Sequence, residues 1–233
     1  MPRKKLPEDS KKTALTQRKR PQQQRSLVTM QSIHQAALEL IAQGGFETLS
    51  AARIAERAGI GVGSFYDYYS NKEALLTDLY ASTSSALVKR MRENLPRILD
   101  LPVEETVALT VKEVVGLYEE HRAVLIDLPL EHPEIKLDIN PLSFEQLTHG
   151  SILIYLQHRG KPLQPDELET KAFFLEHVIV GCIRQYLSNP PPQVSRAAFI
   201  ANLTQIITPY MKEITAPDRL ELRGSRVDSA RSP

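Results

Sequence analysis

Ser64, Tyr66, Tyr68 and Lys72 fall within nine residues of one another. Three hydroxyls and an ammonium at that density suit phosphate oxygens and the polar edges of bases. Gly63 stands just before them and, lacking a Cβ, lets a backbone approach a phosphate or a base closely. Val62 and Arg53 complete the candidate contact set. Elsewhere the chemistry is sparse. The six histidines (His34, His121, His132, His149, His158 and His177) show no metal-ligand spacing. Cys182, the one cysteine, sits among apolar residues and is expected in the core rather than as a nucleophile. No Ser-His-Asp order and no acid pair at helical spacing points to catalysis. No metal, cofactor or catalytic residue is expected, and the chain is not expected to be an enzyme.

The contact residues need elements to hold them. A first helix is expected from about Ser26 to Gln43, with Leu27, Met30, Ile33, Ala37, Leu40 and Ile41 at helical spacing and Gly44-Gly45 at its end. Ser50 caps a second, short helix that stops at Gly59. Val62 to Tyr69 forms a third, and Asn71 caps a long fourth beginning KEALLTDLY. Helices this short need a packed neighbour. Phe46, Leu49, Ile54, Ala55, Ala58, Ile60, Phe65 and Tyr69 can close a three-helix core, leaving Val62, Gly63, Ser64, Tyr66, Asp67 and Tyr68 outside. Two short helices around a glycine turn make a helix-turn-helix, whose second helix fits the DNA major groove. The glycine run Gly59-Ile60-Gly61-Val62-Gly63 is not a nucleotide loop, because AARIAERA before it has helical spacing rather than a buried strand.

Charge is unevenly spread. Of 233 residues, the first 25 carry net +7 and the rest net −6, for a total of +1. A basic arm on an acidic body suggests an anionic polymer as partner. The segment Ser26–Lys72 itself has only Arg53, Arg57 and Lys72 against Glu39, Glu47, Glu56 and Asp67. Its net charge of −1 leaves long-range attraction to the arm. No apolar run approaches the roughly 20 residues that span a bilayer, and MPRKKLPEDSKK lacks the apolar stretch of a secretory signal. A cytoplasmic setting is expected.

At these residues the chain resembles the TetR family of bacterial transcription regulators. The resemblance rests on Gly45-Phe46, on Ile54-Ala55-Glu56-Arg57-Ala58-Gly59, on Gly63-Ser64-Phe65-Tyr66-Asp67-Tyr68-Tyr69 and on Asn71-Lys72-Glu73-Ala74-Leu75. It implies a homodimeric repressor with an effector pocket in each C-terminal domain. It implies base or backbone contacts from Val62, Gly63, Ser64, Tyr66 and Tyr68, and a phosphate contact from Lys72. Two departures stand out. Gly61 takes the place of the usual Ser or Thr, which weakens the cap of the third helix. Asp67 puts an anion on the face expected to meet DNA.

The remainder reads as helices separated by proline. Leu95-Pro96 and Leu101-Pro102 are expected to bound the end of the fourth helix. Further helices are expected at Glu104–Glu120, His121–Leu130, Ser143–His158, Asp166–Ser188 and Ser195 to about Ile214, with a loop at Glu134–Pro141 and a kink at Pro209. The eighth helix carries one apolar stripe of Leu168, Ala172, Leu175, Ile179, Cys182 and Tyr186 and another of Phe174, Val178 and Gly181. One stripe suits the chain's own core and the other a partner chain. The ninth adds Phe199, Leu203, Ile206, Ile207 and Tyr210, so these two helices from each subunit would form a homodimer interface. Leu95, Tyr118, Leu125, His149, Leu153, Tyr155, Phe174 and His177 are the expected lining of a pocket for a mostly apolar ligand, with Glu176 and Arg184 as further polar groups within these helices.

The chain is therefore expected to be all-α. The segments are a disordered basic arm (1–25), a helix-turn-helix DNA-binding domain (26–72), a helical effector-binding and dimerisation domain (73–215) and a disordered tail (216–233). The expected function is a transcriptional regulator, a repressor released from operator DNA by a small apolar or amphipathic ligand. The rival classes are a helical protein-interaction module and a cytosolic helical enzyme using the C-terminal cavity.

Overall fold

The computed structural model describes residues 24–135, 137 and 143–215. The expected tail, most of the expected arm and most of the Glu134–Pro141 loop lie outside the described residues. Among those described, the regular structure is helical throughout, with a single isolated bridge between Gly160 and Thr215. The chain divides into two compact units, the first ending at Asp78 and the second beginning at Leu79.

The first unit holds α1 (Gln24–Gly44), α2 (Ala51–Arg57), α3 (Val62–Tyr68) and the start of α4 (Lys72–Leu99). Helix α1 includes Gln24 and Arg25, so Ser26 lies inside it rather than at its start. Gln24 and Arg25 are good helix formers and nothing there breaks the turn. Gly45 ends α1 in the left-handed region at φ 73°, its N–H bonded to Ile41 O. Ser50 Oγ accepts from Arg53 N and caps α2. Gly59, at φ 68°, makes the turn into α3. Asn71 Oδ1 accepts from Ala74 N at 2.8 Å and starts α4. Gly61 supplies no side-chain cap to α3, as its missing hydroxyl requires. Ile33, Ala37 and Leu40 of α1 pack with Phe46, Leu49, Ile54, Ala55, Phe65 and Tyr69. Ala58 and Ile60, expected in that core, are only half-buried at the rim of the turn.

The second unit holds the rest of α4, then α5 (Val103–Glu120), α6 (Leu128–Glu131), α7 (Phe144–Arg159), α8 (Pro165–Ser188) and α9 (Arg196–Ile214). Helix α4 ends at Leu99, between the two prolines expected to bound its end, with Pro96 inside the helix. A proline removes one backbone donor without obliging the chain to turn. The final carbonyls find partners instead: Thr106 Oγ1 donates to Ile98 O and Arg159 Nη1 donates to Leu99 O at 2.6 Å. Helix α9 likewise continues through Pro209. The expected sixth helix at His121–Leu130 is in fact a wide π-helical turn, Ala123–Asp127, followed by the single turn of α6. Ser143 and Ser195 cap α7 and α9 by accepting from the backbone three residues on. Helix α5 packs on α9 and α8, and α7 packs on α8.

Candidate nucleic-acid interface and ligand cavity

Helix α3 has one side inside and one outside. Phe65 and Tyr69 are fully buried, whereas Val62 is 42% and Tyr66 is 45% exposed. Gly63 and Asp67 are exposed, and Ser64, Tyr68 and Lys72 are half-buried. An exposed apolar valine and an exposed tyrosine on one short helix are surface that a partner would cover. The Tyr66 ring stands edge-on to Phe65 at 5.4 Å, which braces it against the core. Arg53 is exposed on α2. Arg57 is occupied, donating to Glu39 Oε2 at 3.1 Å and to Gln43 Oε1 at 3.0 Å. Arg53 and Lys72 make no ion pair among the described residues. They remain available to an anion, at a helix-turn-helix that carries little positive charge of its own.

A polar cluster missed in the sequence holds this unit together. Tyr69 Oη donates to Asp78 Oδ2 at 2.7 Å, and His34 Nε2 lies 3.0 Å from Tyr69 Oη and 3.1 Å from Asp78 Oδ2. Burial drives the Tyr69 hydroxyl pKa upward, and its bond to Asp78 adds to the shift. For Asp78, burial pushes up, but the bonds from His34 and Tyr69 outweigh it and hold the carboxyl below its usual value. The signal was present: a tyrosine at a core position must find a partner for its hydroxyl.

The second unit contains a cavity of about 110 Å³. Its wall comes from five helices: Leu95 and Ile98 of α4, Val111 and Val114 of α5, Ile152 and Tyr155 of α7, Leu175 and Ile179 of α8, and Ile207 and Met211 of α9. Arg92, Thr148 and Ser151 also line it.

Of the eight residues expected to form a pocket, Leu95 and Tyr155 line this cavity. The other six do not. Tyr118 and Leu125 are fully buried in the core, with the Tyr118 hydroxyl 3.5 Å from Glu145 Oε1. His149 turns to Glu169, at 3.0 Å. Leu153 is half-buried off the wall. Phe174 is 55% exposed, and His177 is exposed and stacked on Phe173. Leu175 and Ile179 take the inward side of α8, which turns 174 and 177 outward at about 100° per residue. Glu176 is buried, and burial raises its carboxyl pKa against the pull of His177, whose Nδ1 lies 2.5 Å away. Arg184 and Tyr80 both donate to Glu145, tying α8 and α4 to α7.

The stripe that includes Cys182 also needs correction. Burial on α8 follows Glu176, Val180, Ile183 and Leu187, and Cys182 falls a third of a turn off that line and is exposed. With Phe173, Phe174 and Gly181 it stands on the outward side, while Ile206 of α9 is 65% exposed.

The described residues thus form a helix-turn-helix unit and a separate all-helical bundle. Residues 33–79 match the family model described as bacterial regulatory proteins, tetR family. The match covers the N-terminal helix-turn-helix segment, about a fifth of the chain. It is 28% identical over 104 residues to the fatty acid metabolism regulator protein of Bacillus subtilis (strain 168), covering 44% of this chain and 53% of that one. The chain thus spans about half the length of that relative. The fold is shared with a regulator described as TetR-family from Mesorhizobium loti, at TM-score 0.65 and 16% identity over 83% of this chain and 100% of that one. It is also shared with the regulator FadR of Bacillus subtilis, solved in complex with stearoyl-CoA, at TM-score 0.55 and 21% identity over 78% and 96% of the two chains. No helix among the described residues is long and apolar enough to cross a membrane.

Proposed function

We propose that the protein is a homodimeric transcriptional repressor, released from operator DNA by an amphipathic ligand with an apolar chain. The observation that carries this is the outward face of α3, an unfilled apolar and hydroxyl surface held rigid by buried Phe65 and Tyr69. On this reading Tyr66, Tyr68, Ser64, Gly63 and Val62 meet base edges or nearby backbone, and Arg53 and Lys72 hold phosphates. Two copies associate through α8 and α9. Their exposed Phe173, Phe174 and Ile206 are the apolar area such an interface covers.

The cavity supports the ligand half of the proposal. Its lining is aliphatic on most sides with a few polar groups, the pattern of a site for an apolar chain. The FadR relative was solved with stearoyl-CoA, and an acyl group is the ligand we carry to this chain. The protein acts by binding rather than turnover, in the cytoplasm where operator DNA lies.

The test is selection of genomic fragments by the purified full-length protein, followed by titration of the recovered complex with acyl-CoA. Recovery of a shared near-palindromic site with half-sites about 34–36 Å apart, and loss of binding on titration, are the expected results. Recovery of unrelated fragments with no common site would overturn the proposal.

A further inference from the structure

The geometry points to a polar edge inside this cavity, at which Thr148 binds the carbonyl of an acyl ligand and Arg92 holds its anionic head. The inference deepens the proposal above and rests on the cavity being the ligand site.

Thr148 is 4% exposed, lines the cavity, and its hydroxyl has no hydrogen-bond partner. Within helices, Thr29, Thr77, Thr170 and Thr208 each donate to the carbonyl four residues back. Thr204 of α9 also lacks a partner, but it does not line the cavity. Thr148 leaves the equivalent bond unmade. A buried hydroxyl without a partner is unfavourable, and such a group calls for a partner the free protein lacks. Most of the wall is aliphatic, and Thr106, another threonine on it, donates to Ile98 O.

Ser151 stands three residues further along α7, and so on the same side as Thr148. Arg92 Nε donates to Ser151 Oγ at 3.3 Å. Thr148, Ser151 and Arg92 therefore define one polar edge of a mostly aliphatic space. Arg92 also lines a shallow surface groove with Ser85, Val88, Lys89 and Glu93. Lys89 faces Glu93 at only 3.9 Å, with both side chains well exposed, so it is weakly held. An anion at this edge meets Arg92 first and Lys89 beyond it. The ligand that satisfies all of this has an alkyl chain, an acceptor oxygen at the chain's end and negative charge outside it. A fatty carboxylate and an acyl thioester on a phosphate-bearing carrier share that chemistry.

The experiment is calorimetric titration of the full-length protein with dodecanoate, dodecanoyl-coenzyme A and coenzyme A alone, alongside thermal unfolding without ligand. Thr148→Val keeps the shape and removes the hydroxyl. It should raise the Tm of the free protein and weaken the acyl probe about five- to tenfold, and Thr148→Ser should restore both. Arg92→Gln should weaken the anionic probes about tenfold at low salt and less at high salt. Tighter binding of dodecanoyl-coenzyme A than of dodecanoate would assign the head to the carrier, and the reverse would assign it to the carboxylate. An acyl probe that binds wild type, Thr148→Val and Arg92→Gln equally, or a lowered Tm in Thr148→Val, overturns the inference and leaves the cavity as the ligand site. Failure of every acyl probe to bind wild type overturns both it and the acyl assignment.

Discussion

Tyr69 Oη donates to Asp78 Oδ2 at 2.7 Å, joining the residue that follows α3 to the second turn of α4. His34 of α1 closes the cluster at 3.0 and 3.1 Å. Three helices are fixed at one point behind the face that would meet DNA. The angle of α3 is thus set by a hydrogen-bonded core group as well as by packing, and the outward residues inherit that angle.

Tyr69→Phe should cost about 1 kcal/mol at pH 7, the worth of one such bond. The pH dependence follows from Asp78, whose carboxyl lies below its ordinary value because the bonds from His34 and Tyr69 outweigh burial. A depressed folded value means stability that is fully present above the unfolded value near 3.9 and is lost as pH falls through the folded one. The gap between wild type and Tyr69→Phe should therefore hold above about pH 4 and narrow as pH falls below it. Thermal unfolding above and below that pH measures it, and a gap that does not change with pH would contradict this account of the cluster.

Tyr66→Ala and Lys72→Ala should weaken operator binding and leave the first unit folded, since neither side chain is in the core. Loss of Lys72 should reduce the salt slope by about one unit, as for a single phosphate contact. Phe65→Ala is the contrasting case. That ring is fully buried, and its removal should cost about 3–5 kcal/mol and unfold the domain. Gel-shift titrations at several salt concentrations, with circular dichroism of each variant, separate the two behaviours. Unchanged affinity and slope in both surface variants would remove them from the interface.

Local features were legible in the sequence because they depend on neighbours along the chain. Ser50, Asn71 and Gly59 cap and turn where their own chemistry requires. The cluster of His34, Tyr69 and Asp78 was not legible, because it joins residues that only the packed helices bring together. The pocket was half legible. Helix α8 is apolar on two sides, so its periodicity supplies two stripes without saying which packs inward. The contacts of α8 with α5 and α7 decide that phase, and they turn Leu175 and Ile179 in and Phe174 and His177 out. Arg92 is an ordinary surface cation in the sequence, and only the fold sets it beside Ser151.

Gly181→Arg should yield folded monomers with much weaker operator binding. A side chain added at Gly181 meets nothing within 4 Å in its own chain, so the subunit tolerates it. A partner helix crossing there would not. Light scattering gives the mass, and circular dichroism shows whether the fold survives. A dimer of unchanged stability would move the interface away from this part of α8.

The remaining prediction concerns coupling between ligand and DNA. A ligand weakens operator binding only if it favours the arrangement that binds DNA poorly. The continuous helix α4 is the candidate link, because it opens at Lys72 and its residues Arg92, Leu95 and Ile98 line the cavity. The cavity, at about 110 Å³, is smaller than the roughly 150 Å³ that admits benzene. A long chain must therefore push helices apart, and α4 is among those it pushes. A coupling of about 1–3 kcal/mol would change operator affinity 5–150-fold. Saturating dodecanoyl-coenzyme A should raise the Tm and lower operator affinity within that range. Leu95→Trp, which fills the space, should bind operator as wild type does and lose the response. If the ligand binds and operator affinity stays constant, α4 carries no signal, and the cavity serves stability rather than control.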